Sequence, residues 1–171
     1  MRIPSLGVTL AILIGFLPVL TGEANRVRID DRSYYRLTNT YLGEAYSLDT
    51  TRDAPNAPVM AKSGDYAGQY WLFTPQDGCY RLTNMYLGAD RSLDTYSDGE
   101  NAPFLGKSGP ESGQRWHVTD AGDGYVKLTN EYLGNSRSLD THSGSGREPF
   151  MGETGNYSGQ LWKLTRVSHA R

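Results

Sequence analysis

The sequence predicts an all-β fold, a β-trefoil of three four-stranded repeats about a pseudo-threefold axis, and three copied motifs predict it. Gln69-Tyr70-Trp71, Gln114-Arg115-Trp116 and Gln160-Leu161-Trp162 use all 3 tryptophans of the 171-residue chain and recur at steps of 45 and 46 residues. Arg36-Leu37-Thr38-Asn39, Arg81-Leu82-Thr83-Asn84 and Lys127-Leu128-Thr129-Asn130 keep the same step, each followed two residues later by Tyr-Leu-Gly. So do Ser47-Leu48-Asp49-Thr50, Ser92-Leu93-Asp94-Thr95 and Ser138-Leu139-Asp140-Thr141. Three motifs in one order at one spacing mark an internal repeat, which constrains architecture more than any local propensity.

The first 24 residues read as a secretory signal peptide. Arg2 gives a positive start and Leu6 to Leu20 is an almost unbroken apolar run, with Gly22-Glu23-Ala24 supplying the small residues of a cleavage site. At about 15 residues the run is shorter than the roughly 20 needed to span a bilayer. A retained anchor helix is the alternative. Residues 25–33 form a lead-in to the domain, and the mature protein is expected to be secreted and extracellular, without a membrane span.

Within each repeat, short runs such as Tyr80-Arg81-Leu82-Thr83 and Trp116-His117-Val118 alternate apolar and polar residues, as half-buried strands do. Clusters of turn formers separate them, as in Asp53-Ala54-Pro55-Asn56, Ser97-Asp98-Gly99-Glu100 and Asp120 to Gly124. Four strands fit the period at the roughly 8 to 12 residues per strand usual in all-β folds. A propeller blade has a similar period, but a propeller needs about four blades to close. Three copies suit a trefoil over 34–166, with repeats at about 34–75, 79–120 and 125–166 and a tail at 167–171.

Charge excludes some partners. The chain carries 17 basic and 19 acidic side chains, for a net charge of −2. Removing the signal takes away one base, Arg2, and one acid, Glu23, and leaves that balance unchanged. A nucleic-acid surface or an anionic-membrane binder calls for a basic excess. Cys79 is the only cysteine, so no intrachain disulfide supports the domain. It is expected to be a buried small hydrophobe, with an intermolecular disulfide as the alternative.

The motifs have a physical reason to repeat. Each of Trp71, Trp116 and Trp162 can bury about 150–250 Å². Gln69, Gln114 and Gln160, two residues earlier, fall on the same side of a strand, where an amide can satisfy backbone groups at a turn. All six are expected to be structural rather than ligand contacts.

With Tyr-Arg-Leu-x-Asn, Leu-Asp and Asn56-Ala57-Pro58-Val59 added, the Gln-x-Trp triplets resemble the ricin B-type lectins, Gln-x-Trp β-trefoils also classed as family 13 carbohydrate-binding modules. The resemblance covers about Tyr34 to Thr165. It implies that Asp49, Asp94 and Asp140 accept hydrogen bonds from sugar hydroxyls in one shallow pocket per repeat. A carboxylate bonding its own turn backbone is the alternative.

The departures from the family concentrate at the pockets. Binding members place an aromatic ring where this chain has Lys62, Lys107 and Glu153, preceded by a Gln where it has Met60, Leu105 and Met151. They also place Asn before Gln-x-Trp, where Gly68, Gly113 and Gly159 stand. Replacement rings are sought in Tyr66 and Tyr157, three residues before Gln-x-Trp, and in Tyr96 and His142, directly after Leu-Asp-Thr. Tyr41, Tyr86 and Tyr132 of Tyr-Leu-Gly are expected to pack in the core or in hairpins.

The carbohydrate-binding set is therefore Asp49, Asn56 and Tyr66 in repeat one, Asp94, Tyr96 and Asn101 in repeat two, and Asp140 in repeat three. The first two repeats are favoured. Repeat three replaces the Asn-Ala pair with Arg147-Glu148, and its sequon Asn156-Tyr157-Ser158 would place a glycan beside the pocket.

No catalytic site, cofactor or metal is expected. His117, His142 and His169 lack metal-ligand spacing, and the three aspartates lie one per repeat rather than flanking one bond as glycosidase acids do. The expected function is lectin-like binding of glycans or polysaccharides. The alternative is a protein-binding trefoil, a secreted effector or hydrolase inhibitor that has lost sugar binding.

Overall fold

The computed structural model describes residues 27–51, 56–95, 102–141 and 148–168. The expected signal peptide at 1–24, Tyr96, Asn101, His142 and Arg147 lie outside them. Among the described residues there are twelve strands, four per repeat. Repeat one holds β1 (Tyr34–Asn39), β2 (Tyr46–Thr50), β3 (Pro58–Lys62) and β4 (Trp71–Gln76). Repeat two holds β5 (Cys79–Asn84), β6 (Gly88–Asp94), β7 (Phe104–Lys107) and β8 (Trp116–Gly122). Repeat three holds β9 (Tyr125–Asn130), β10 (Arg137–Thr141), β11 (Pro149–Glu153) and β12 (Trp162–Val167).

The first and last strands of the repeats close a six-stranded antiparallel barrel. Its order is β1-β4-β5-β8-β9-β12, and β12 returns to pair with β1 over the full register from Tyr34↔Val167 to Asn39↔Trp162. Closure removes the exposed edges that would otherwise template association. The middle strands form three hairpins, β2–β3, β6–β7 and β10–β11, that cap one end of the barrel. This is the β-trefoil.

Two-residue turns stitch the repeats together. Asp77-Gly78 joins β4 to β5 and Asp123-Gly124 joins β8 to β9, with φ of 43° and 86° in the first and 53° and 80° in the second. Positive φ at both central residues matches the right-handed twist of the strands, and Asp-Gly tolerates it well.

The core repeats in threes as the sequence does. Leu37, Leu82 and Leu128 from the barrel, Leu48, Leu93 and Leu139 from the caps, and the three tryptophans are all fully buried. Met60, Leu105 and Met151 join them, so the family's polar Gln step is a core position here. Cys79 is also buried.

One local expectation is corrected. Gln69, Gln114 and Gln160 do not lie on strands; each ends a single turn of 3-10 helix, at Ala67–Gln69, Ser112–Gln114 and Ser158–Gln160. The short turn reverses the chain between cap and barrel and points the amide inward. No helix among the described residues is long and apolar enough to cross a membrane.

Candidate functional site

Each repeat builds the same unit around its aspartate. The tryptophan indole N–H donates to the carbonyl of the leucine before it: Trp71 to Leu48 at 2.9 Å, Trp116 to Leu93 and Trp162 to Leu139 at 2.8 Å. The barrel thereby fixes the cap strand that carries the carboxylate. The glutamine amide then holds the carboxylate itself. Gln69 Nε2 donates to Asp49 Oδ2 at 2.9 Å, Gln114 to Asp94 at 2.8 Å and Gln160 to Asp140 at 2.9 Å. The same Nε2 atoms donate to the carbonyls of Lys62, Lys107 and Glu153, while Oε1 accepts from the N–H of Gly64, Gly109 and Gly155. The glutamines thus satisfy turn backbone as expected and also orient the aspartates.

Glycine before Gln-x-Trp is required by the same unit. A Cβ on Gly68, Gly113 or Gly159 would lie 2.1, 2.2 or 2.0 Å from Oδ1 of Asp49, Asp94 or Asp140. The carboxylate occupies the space that the family's Asn would need. Oδ1 also accepts the N–H of the next residue, Thr95 onto Asp94 and Thr141 onto Asp140 at 2.7 Å.

Burial raises the pKa of Asp49 and Asp94 above the usual aspartate range; hydrogen bonds from Gln69 and Thr50, and from Gln114 and Thr95, offset only part of that effect. Glu111 adds to the rise at Asp94.

A surface cleft lies above Asp49 and another above Asp140. In repeat one it is lined by Asp49, Thr50, Asp65, Tyr66, Ala67, Gly68 and Tyr86 and measures about 640 Å³. In repeat three the equivalent cleft measures about 250 Å³ and is lined by Asp140, Thr141, Phe150, Tyr157, Ser158, Gly159 and Tyr41. Tyr66 and Tyr157 are 61% and 57% exposed. Their rings lie over Gly64 and Gly155, where a Cβ would come within 2.2 and 2.4 Å of a ring carbon. Glycine there lets the ring rest on the backbone while its other face meets solvent. Repeat two has Glu111 at this step, lying over Gly109 in the same way.

Tyr41, Tyr86 and Tyr132 are not core residues. They are 44%, 47% and 44% exposed, and Tyr41 and Tyr86 line the clefts of the preceding repeats in the cyclic order. Sequence reasoning took them for packing because strands favour aromatics, but they sit in the turns after β1, β5 and β9. It also missed Phe104 and Phe150. A Cβ on Gly106 would lie 2.8 Å from Asp94 Oδ2 and 3.0 Å from the Phe104 ring, and one on Gly152 2.9 Å from Asp140 Oδ2 and 3.1 Å from the Phe150 ring. The signal was legible: both repeats read Phe-x-Gly where repeat one reads Val59-Met60-Ala61.

Asn56 is not brought to the Asp49 cleft. Its side chain accepts from Arg91 Nη1 at 2.9 Å and its carbonyl accepts from Leu105 N at 2.8 Å, so it joins repeat one to repeat two. Asn156 is exposed, next to Tyr157.

No protein-family model matches the chain, and no curated protein matches it in sequence. Solved structures do match in shape. The designed threefold-symmetric protein ThreeFoil aligns with a TM-score of 0.68 at 22% identity, over 78% of this chain and 99% of its own. A ricin B-like lectin from Macrolepiota procera, solved in complex with lactose, aligns with a TM-score of 0.67 at 14% identity, over 82% of this chain and 100% of its own. A mosquitocidal holotoxin aligns with a TM-score of 0.72 at 17% identity, over 82% of this chain but only 18% of the toxin. Lectin, designed scaffold and toxin module share one architecture, and the fold of this chain is the β-trefoil.

Proposed function

We propose that the protein is a secreted, non-catalytic carbohydrate-binding module that holds glycans in shallow clefts over Asp49 and Asp140, with a third site at Asp94. The observation that carries this reading is the cleft lining: an oriented carboxylate at the base, beside an exposed tyrosine ring resting on glycine. A carboxylate offers about four acceptor positions. Glutamine and backbone N–H occupy two, and the remaining ones suit vicinal sugar hydroxyls through charge-assisted bonds. Tyr66 and Tyr157 offer an apolar face to the pyranose ring and a hydroxyl at the tip. In repeat three Phe150 adds a second ring beside Asp140.

One such cleft suits weak binding, about millimolar or near −4 kcal/mol. Clefts on one rigid scaffold raise avidity for a glycan long enough to span them. A glycan attached at Asn156 would cover the cleft beside Tyr157.

The test is a glycan array that includes polysaccharides, run on the protein from Asn25 onward and on Asp49→Asn and Tyr66→Ala. Hits that weaken in both variants, with Tyr66→Ala melting like the wild type, support the reading. A second reading, a protein-binding trefoil, is favoured by one observation: the family's ring position is occupied by exposed Lys62, Lys107 and Glu153. Silence of the wild type on the array would turn the account to it.

A further inference from the structure

We infer that each binding cleft is built across a repeat boundary, with Tyr86 and Tyr41 of the following repeat as ligand-contacting second walls and Asn84 and Asn39 as the residues that position them. This rests on the carbohydrate-binding reading above and adds residues that the Leu-Asp and Gln-x-Trp motifs do not identify.

The clasp is a buried asparagine at the end of the first strand of each repeat. Asn84 Nδ2 donates to the Gly68 carbonyl at 2.5 Å, and its Oδ1 accepts from the Thr50 hydroxyl at 3.3 Å. Gly68 and Thr50 flank Asp49 in the cleft of repeat one. The same Oδ1 accepts the Tyr86 N–H at 2.9 Å and so fixes the turn that presents the opposite ring. One amide therefore holds both walls.

The arrangement repeats around the axis. Asn39 Nδ2 donates to Thr141 Oγ1 at 2.9 Å and to the Gly159 carbonyl at 3.2 Å, while its Oδ1 accepts the Leu42 N–H at 2.9 Å. It thus ties the Tyr41 turn of repeat one to the Asp140 wall of repeat three. Asn130 makes the matching bonds to Thr95 and Gly113, with Leu133 N–H on its Oδ1. A buried side-chain amide with donors and acceptor satisfied is a rigid element. The tyrosines it positions stay nearly half exposed, which core packing does not require and ligand stacking does.

Cleft one has room for a sugar between its walls, since about 640 Å³ falls within the roughly 300–1,000 Å³ usual for small-molecule sites. Cleft three, at about 250 Å³, grips a single ring more closely.

The test is calorimetric titration of the full mature chain with lactose, cellobiose and N,N′-diacetylchitobiose, on wild type, Tyr66→Ala, Tyr86→Ala, Tyr86→Phe, Tyr41→Ala and Asn84→Ala, each with a thermal melt. Tyr86→Ala should weaken binding at cleft one about five- to tenfold, the loss of one aromatic contact. Tyr86→Phe should restore most of it, and both should melt like wild type. Tyr41→Ala should weaken cleft three alone. Asn84→Ala should weaken cleft one and spare cleft three; should it fail to fold, the tyrosine variants still decide. Binding lost in Tyr66→Ala but unchanged in Tyr86→Ala and Tyr41→Ala would overturn the composite cleft and leave the carbohydrate-binding reading standing. A wild type that binds none of the three sugars would overturn both.

Discussion

Gly68→Ala perturbs the site by a single methyl group, and its cost can be worked from the geometry. The new Cβ would lie 2.1 Å from Asp49 Oδ1 and 2.3 Å from the Thr50 carbonyl oxygen. The carbonyl belongs to the cap strand β2 and cannot move cheaply, so the Ala67–Gln69 turn must shift and the carboxylate must turn away. That breaks its bonds from Gln69 Nε2 and from the Thr50 N–H. Hydrogen bonds to charged groups contribute about 1.5–3 kcal/mol each, and Gln69 keeps its bond to the Lys62 carbonyl. Gly68 does not adopt a left-handed φ, so alanine tolerates the backbone and gains about 0.4–1 kcal/mol from a less flexible unfolded chain. The net expected loss is about 2–5.5 kcal/mol, read in a urea or thermal melt as a fall of roughly 6–18 °C for a domain of this size. Gly113→Ala and Gly159→Ala should cost similar amounts. A Gly68→Ala variant that melts within about 0.5 kcal/mol of wild type would refute the claim that glycine is dictated by the carboxylate.

Other predictions follow from the same contacts. Trp116→Ala empties a fully buried site and strands the Leu93 carbonyl, so it should cost about 3–5 kcal/mol in a circular-dichroism melt; an unchanged melt would contradict its structural role. Glycan affinity at cleft one should fall as pH drops through the raised pKa of Asp49, because the protonated acid loses acceptor capacity. The sign for stability is opposite. The cost of keeping a desolvated carboxylate charged is present above the folded pKa and relieved below it, so a melt run in parallel should not show unfolding in that window. Asp30, Glu44 and Glu131, whose pKa values are lowered by hydrogen-bonding partners, lose their contribution only at more acid pH, from the usual carboxylate range downward. Affinity that stays constant down to the usual aspartate range would contradict the role of Asp49. Among the described residues cleft one is lined by Asp49 and Asp65 and by no basic residue, so uronic-acid glycans should bind more weakly than their neutral counterparts, by a margin that salt reduces.

The architecture was legible because threefold repetition writes each core contact three times. Gln-x-Trp, Leu-Asp and Leu-Thr-Asn mark the barrel tryptophan, the cap strand and the inter-repeat clasp, and their spacing left little choice of fold. The local role of Gln69 was less legible. A period-two reading placed it on a strand, whereas the glycine before it and the carboxylate above it impose a 3-10 turn. The clefts were only half legible. Tyr66 and Asp49 could be paired from one repeat, but Tyr86 reaches the same cleft from the next repeat, and single-repeat reasoning cannot place a wall that arrives across a barrel closure. Asn56 failed for the converse reason: its motif matches, yet its contacts run to Arg91 and Leu105.

The most direct test is an NMR titration of the isotopically labelled protein from Asn25 onward with a neutral glycan selected on the array. The amides of Thr50, Tyr66, Ala67, Gly68 and Tyr86 should shift together in cleft one, with Tyr41, Thr141, Tyr157, Ser158 and Gly159 following in cleft three. Shifts confined to the exposed faces around Lys62, Lys107 and Glu153, with the clefts silent, would contradict glycan binding in the clefts.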